Sequence, residues 1–324
     1  AFRNSTTDTL NYLRADSDSG VDGSDFDGWG TPTVVDTSAS LQDTISLTSV
    51  GPSTPKPAIA YVAGGAVRFA INSTAAGTGS WTTHTVQSAN SYDYVSLVRG
   101  KDGLPAIAFY DTVNDRVMWA VVTDPANFPP DEAADWEVAE VDDGDGNDVG
   151  RYTSAVVATD PGESVRIPMV AYKDDTSNNA KLAVSTGSEF GADGPDWEVQ
   201  VIQSGLTGVS DRGDGLDMIL SSTGFEPFLA GVGGSGAQAG LPTVAYLDKQ
   251  AGDEWYVTIA QNRAFDGGDD WDITAVDSAG NACFGGGCSE LKVELDHVNG
   301  LPGILYSSDV TDYPYTYVRP LPQF

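Results

Sequence analysis

The stretch Gly103-Leu104-Pro105-Ala106-Ile107-Ala108-Phe109-Tyr110-Asp111 decides the fold, because variants of it recur along the chain. Copies begin at Pro57, Pro105, Pro168, Pro242 and Pro302, and four residues on each carries an aromatic: Tyr61, Phe109, Tyr172, Tyr246 and Tyr306. Small or branched apolar residues fill the interval. A continuous apolar run of this length suits a strand covered on both faces. A proline at the start of such a strand forfeits no ladder donor. Three copies add an aspartate two residues past the aromatic, at Asp111, Asp174 and Asp248. Recurrence at one repeat position favours a structural turn role for these three.

A second motif repeats out of phase with the first. Trp29, Trp81, Trp136, Trp197 and Trp271 are each followed five residues later by a β-branched residue: Val34, Val86, Val141, Ile202 and Val276. These segments are half polar and read as half-exposed strands. Their indoles suit packing between neighbouring sheets better than stacking on sugar rings. Two more strands complete each unit. Before the proline lie Thr44–Leu47, Tyr94–Leu97, Thr153–Val156, Asp217–Leu220 and Glu290–Val293; after it lie Val67–Ala70, Arg116–Ala120, Lys181–Val184 and Trp255–Thr258. In chain order the strands are A, B, C and D, with tryptophan on D. Repeated groups of four short strands, with no amphipathic helix, predict an all-β fold: a five-bladed β-propeller of four-stranded antiparallel blades. A β-sandwich would not set the same Trp and Pro-aromatic pair five times. A short helical turn is expected near Asp131–Ala134.

The N-terminus begins mid-repeat. Asp8–Leu13 resembles strand C, and the Trp29 strand is a D strand that should close the ring on the last blade. Tyr315–Val318 is also C-like, so two segments claim one place. The loser is either an added edge strand or tail, or a strand donated to a neighbouring chain, which would give self-association through the N-terminal arm and a filament. The domain reading is an arm with an acidic loop over 1–28 and a single propeller over 29–324.

The propeller rule places the D–A and B–C loops on one face. These loops are rich in aspartate, so carboxylates should converge on one rim. Asp142, Asp143, Asp145, Asn147 and Asp148 surround two glycines, and Asp16, Asp18, Asp22, Asp25 and Asp27 form a second cluster. Calcium takes six to eight such oxygens, so it is the expected cofactor at both, against the alternative of solvated acidic loops. Cys283 and Cys288 enclose a glycine-rich loop and are read as a local disulfide, ahead of free thiols or a metal pair. Asn4-Ser5-Thr6 and Asn72-Ser73-Thr74 match the N-glycosylation triplet. Arg212-Gly213-Asp214 matches a short adhesion tripeptide. His84 and His297 are far apart in repeat phase, which argues against a triad or a histidine metal site.

Composition narrows the function. Among 324 residues, Lys and Arg number 16 against 47 Asp and Glu, for a net charge of −31. Phosphate-backbone binding needs clustered cations, which excludes nucleic acid as a partner. No run is apolar enough for a membrane span. The acidity, the cysteine pair and a start at Ala1 rather than Met point to a secreted or cell-surface protein.

The pattern Gly-x-Pro-x-Ile-Ala-Tyr-x-Asp followed by a Trp strand, best seen at Gly103–Asp111, resembles the propeller repeats of many secreted bacterial and archaeal proteins. That resemblance spans nearly the whole chain and implies architecture only. The expectation drawn is a non-catalytic binding or adhesion module whose partner is a protein or glycan at an extracellular surface. The alternative is a carbohydrate-active hydrolase using axial carboxylates. A catalytic pair should break the repeat symmetry.

Overall fold

The computed structural model describes residues 1–14, 30–38, 40–159, 166–186, 196–206, 216–220, 242–250, 254–262, 271–278, 293–298, 301–307 and 315–318. Among them the fold is all-β and β-propeller-like, built of six antiparallel sheets. The first sheet holds β1 (Phe2–Asn4), β2 (Thr9–Tyr12) and β3 (Thr33–Asp36). The second holds β4 (Leu41–Val50), β5 (Lys56–Ala63), β6 (Ala66–Asn72) and β7 (Trp81–Gln87). The third holds β8 (Tyr92–Arg99), β9 (Pro105–Asp111), β10 (Arg116–Val121) and β11 (Glu137–Asp142). The fourth holds β12 (Val149–Thr159), β13 (Arg166–Asp174), β14 (Asn179–Ser185) and β15 (Trp197–Gln203). The fifth holds β16 (Leu216–Leu220), β17 (Pro242–Gln250), β18 (Glu254–Asn262) and β19 (Trp271–Ser278). The sixth holds β20 (Val293–Val298), β21 (Leu301–Ser307) and β22 (Tyr315–Val318).

The proline-led segments are strands β5, β9, β13, β17 and β21. Each pairs antiparallel with the strand before it. Every residue of β9 is buried, as an apolar run covered on both faces requires. Gly103, in the turn before it, has φ +81, and a Cβ there would meet the Gly51 carbonyl oxygen at 2.3 Å. The Gly51 N–H donates to the Gly103 carbonyl at 2.6 Å, so only glycine permits this approach of two A–B turns. The expected helical turn is a 3-10 turn at Ala133–Asp135. The last A strand is described over Val293–Val298, and residues 290–292 of the expected strand lie outside the described set.

Contacts divide the chain into two units, Ala1–Asn114 with Met118–Ala139, and Asp115–Val117 with Glu140–Phe324. In the first unit, β4 lies beside β8, and the second and third sheets share a core of Val62, Phe69, Ile107, Phe109 and Trp136. A further cluster of Leu10, Val35, Ile59 and Tyr61 joins the first sheet to the second. In the second unit, β12 lies beside β16, and the fourth and fifth sheets share Met169, Leu182, Ile202, Met218 and Val244. Serine hydroxyls link these innermost strands. Ser46 Oγ accepts the Leu97 N–H at 2.9 Å, and Ser154 Oγ accepts the Met218 N–H at 3.1 Å. Ser46 and Ser154 hold the same place in their repeats.

Five blades and their closure by the N-terminal D strand are not shown; among the described residues β3 pairs with β2. Phe2–Asn4 folds back on β2 through a turn at Asp8, φ +51, and completes a three-stranded sheet. The two C-like segments therefore do not compete, since β2 and β22 sit in different sheets. Within the 1–28 segment, β1 and β2 pair with each other and β2 pairs with β3.

Candidate functional site

The D strands carry a bulge at a fixed place, and it orders the side chains around it. The cross-strand register skips Val35, Val86, Ile202 and Val276, so each of these residues sits in the extra position of its strand. Val86, Val141 and Ile202 are buried as the Trp spacing implied. In β3 the role falls one residue late: Val35 is buried and Val34 is 52% exposed. Residue Val34 was therefore the wrong member of the set.

The indoles pack between sheets. Trp136 Nε1 donates to His84 Nε2 at 3.1 Å, and its ring meets Phe69 edge-on at 5.3 Å. Trp271 Nε1 donates to Gln200 Oε1 at 3.2 Å. His84 and Gln200 each stand three residues after the tryptophan of their own strand, so the two contacts are copies of one another. Trp81 packs against Tyr12 at 5.0 Å, and Trp197 opens β15. Trp29 lies outside the described residues.

Among the described residues, where the aromatic of the proline motif is tyrosine, the residue after the bulge accepts a hydrogen bond from its hydroxyl. Tyr61 donates to Asp36 Oδ2 at 2.5 Å, Tyr172 to Asp142 Oδ2 at 2.5 Å, and Tyr246 to Gln203. Burial, then the Asp36 carboxylate, holds the Tyr61 phenol far above its usual range, and burial with Asp142 does the same for Tyr172. Where the acceptor is aspartate, the strand-C partner is a cation: Arg68 reaches Asp36 at 3.3 Å and Lys181 reaches Asp142 at 3.4 Å. Where the acceptor is glutamine, at Gln203, the strand-C residue opposite Tyr246 is the neutral Thr258. Charge is matched repeat by repeat.

The D–A and B–C loops meet, and the motif aspartates organise them. Asp111 is 1% exposed and accepts from Asn90 Nδ2 at 2.7 Å, Asn114 Nδ2 at 2.8 Å and two backbone N–H groups. Burial would raise its pKa; the hydrogen bonds from Asn114 and Asn90 outweigh that and the net direction is down. Asp174 is bonded in the same way to Asn147 Nδ2 at 3.1 Å and the Ser177 N–H at 2.8 Å. Both are turn residues. The side chain of Asp248 lies outside the described residues.

The fourth sheet departs from this shared plan. A backbone bond joins the two loops in three repeats: Gly64 N–H to Ser40 O, Thr112 N–H to Ser91 O, and Asp175 N–H to Asp148 O. Only the third has a carboxylate on both sides. Arg151, on the innermost strand β12, bridges them, with Nη2 3.3 Å from Asp148 and Nη1 3.5 Å from Asp175. Lys173, its side chain 4% exposed, holds Asp175 at 3.0 Å. The side chains of Asp148, Asp175 and Arg151 retain 24%, 19% and 25% exposure, enough to meet solute. Arg151 pairs with Lys173 between two register shifts; in the second, Tyr152 has φ +58, and the equivalent Tyr94 of β8 has φ +49. Bulky residues seldom adopt such angles, and the recurrence at Tyr94 makes this bend part of the shared repeat plan.

The sequence candidates distribute as follows. Asp142 is engaged by Tyr172, Lys181 and the Gly144 N–H; Asp143 Oδ1 accepts the Asp145 N–H; Asn147 turns its amide nitrogen to Asp174; Asp148 faces Arg151. Among the described residues no group of three or more His, Cys, Asp or Glu is arranged to hold a metal ion. Arg151, Lys173 and Lys181 supply the positive charge beside this loop. Asp16, Asp18, Asp22, Asp25, Asp27, Cys283, Cys288 and Arg212–Asp214 lie outside the described residues. Sequence reasoning missed the pairing of Asp148 with Asp175 around Arg151. Setting the repeats in register, with Ser40, Ser91 and Asp148 aligned, exposes it.

No protein-family model matches the chain, and no curated protein matches it by sequence. Solved structures share its sheet architecture. An α-L-arabinofuranosidase from Lactobacillus brevis has 11% identity and a TM-score of 0.45, over 86% of this chain and 90% of that one. An α-L-arabinofuranosidase from Podospora anserina, in complex with cellotriose, has 8% identity and a TM-score of 0.44, over 86% and 89%. A polysaccharide lyase has 10% identity and a TM-score of 0.46, over 87% and 72%. Likeness at this level concerns fold alone. The structures so described are enzymes, and the expectation of a non-catalytic adhesion module is corrected on that finding. No helix among the described residues is long and apolar enough to cross a membrane.

Proposed function

We propose that the protein is a secreted or surface-displayed carbohydrate-active hydrolase whose acid and base are Asp148 and Asp175. One observation supports the reading: of the three crossings among the described residues, that of the fourth sheet has two partly exposed carboxylates where the second and third sheets have Ser–Gly and Ser–Thr pairs. Hydrolysis of a glycosidic bond uses two carboxyl groups, one to protonate the leaving oxygen and one to activate water or attack the sugar. Arg151 sets their separation from one side, and Lys173 anchors Asp175 from below the surface. The partner is then a glycan.

The test is a panel of soluble polysaccharides and aryl glycosides, assayed with the wild type, Asp148→Asn and Asp175→Asn. Amidation keeps shape and removes acid–base capacity, so each variant should lose roughly 100-fold or more in turnover while remaining folded. Full activity in both variants, or no turnover of any substrate by the wild type, would overturn the reading.

A further inference from the structure

The two Asn-x-Thr triplets occupy opposite environments. Asn72 closes β6, is 0% exposed, and has its amide fully engaged. Its Nδ2 donates to Gly79 O at 3.0 Å, and its Oδ1 accepts from the Thr74 N–H at 3.0 Å, Thr74 Oγ1 at 3.1 Å and the Gly79 N–H at 3.0 Å. A sugar on that nitrogen would break the loop and have no room. Asn4 ends β1 at the turn into β2, where Ser5, Thr6 and Thr7 are exposed. Its Oδ1 accepts the Thr6 N–H at 3.0 Å and the Thr7 N–H at 3.3 Å. Its Nδ2 makes no hydrogen bond among the described residues.

We infer that Asn4 is an N-glycan acceptor and that Asn72 is not. The two N–H groups on Oδ1 fix the side chain and leave the nitrogen free, with the Thr6 hydroxyl two residues away as the triplet demands. The donor is a lipid-pyrophosphate-linked oligosaccharide. The Asn4 nitrogen forms a bond to the anomeric carbon and loses a proton; the anomeric carbon–oxygen bond breaks, and the lipid pyrophosphate leaves with its electron pair. The attached glycan would cover the β1 end of the first sheet, where Phe2 is 39% exposed.

The experiment expresses the full chain in a secreting host with N-glycosylation machinery, and maps peptides of the folded product by mass spectrometry. Trypsin cuts at Arg3 and Arg14, which isolates Asn4 on its own peptide. Glycan on that peptide and a bare Asn72 peptide are expected. Both Asn4→Gln and Thr6→Ala should abolish the modification, and Thr6→Ala keeps the Asn4 side chain if Asn4→Gln folds poorly. A folded product with bare Asn4, or with glycan at Asn72, would overturn the inference. Neither result depends on hydrolase activity.

Discussion

Near neutral pH the Trp136 indole can donate to His84 Nε2 only while that nitrogen holds its lone pair, so the imidazole proton sits on Nδ1. Burial lowers the His84 pKa below 6.5, against the opposing pull of Asp135 and then Asp131, the carboxylates that face it. The Asp135 carboxyl is itself committed to the N–H groups of Asp131 and Glu132. A folded-state pKa below the unfolded value means stability is full above about pH 6.5 and is lost as pH falls through the lowered value. Protonation places two donors face to face. The repeat offers its own remedy, since Gln200 accepts the equivalent indole N–H at all pH values. His84→Gln should therefore keep neutral-pH stability and flatten the acid limb of a melting-temperature profile. An unchanged acid limb in that variant would remove His84 from the explanation.

At the scale of the strand, the Tyr–acceptor–cation set behaves as a unit. Arg68→Met alone leaves the Asp36 carboxylate, half buried under Tyr61, without its cation and should cost about 1–2 kcal/mol. Asp36→Gln with Arg68→Met sets a neutral acceptor and a neutral strand-C residue against Tyr61, as Gln203 and Thr258 stand against Tyr246, and should recover most of that loss. Urea melts of the two singles and the double give the coupling directly. Strand identity was legible because apolar runs and indole spacing both follow from which faces are covered, and those patterns survive divergence of the loops. What was not legible has local causes. Phe2–Asn4 is too short to show any period. The bulge in β3 moved the buried valine from 34 to 35, which a fixed spacing cannot register. The turn roles of Asp111 and Asp174 were readable because they recur, whereas Asp148, Arg151 and Asp175 were scattered over two loops and a strand and do not recur as a set at the other two described crossings.

Across the whole molecule, 47 acidic side chains face 16 basic ones. The ion pairs of the fourth sheet neutralise only a small local share of that excess. Mutual repulsion between surface carboxylates acts over a Debye length and is screened by salt. The melting temperature should climb steadily from low ionic strength to roughly 1 M sodium chloride, where the Debye length falls to about 3 Å. A flat or falling curve would mean that specific ion pairs outweigh the general repulsion. Architecture at this scale was read correctly as all-β and propeller-like, while among the described residues the strands form six sheets and a closed five-bladed ring is not shown.

The bond between Asp175 N–H and Asp148 O, like its counterparts at Thr112 and Gly64, belongs to the main chain. Geometry at that crossing is thus indifferent to the side chains mounted on it. Gene duplication hands such a protein several interchangeable sockets, and one copy can drift toward reactivity while its siblings stay inert. The same indifference makes Ser91 and Thr112 the natural place to graft a second carboxylate pair by engineering.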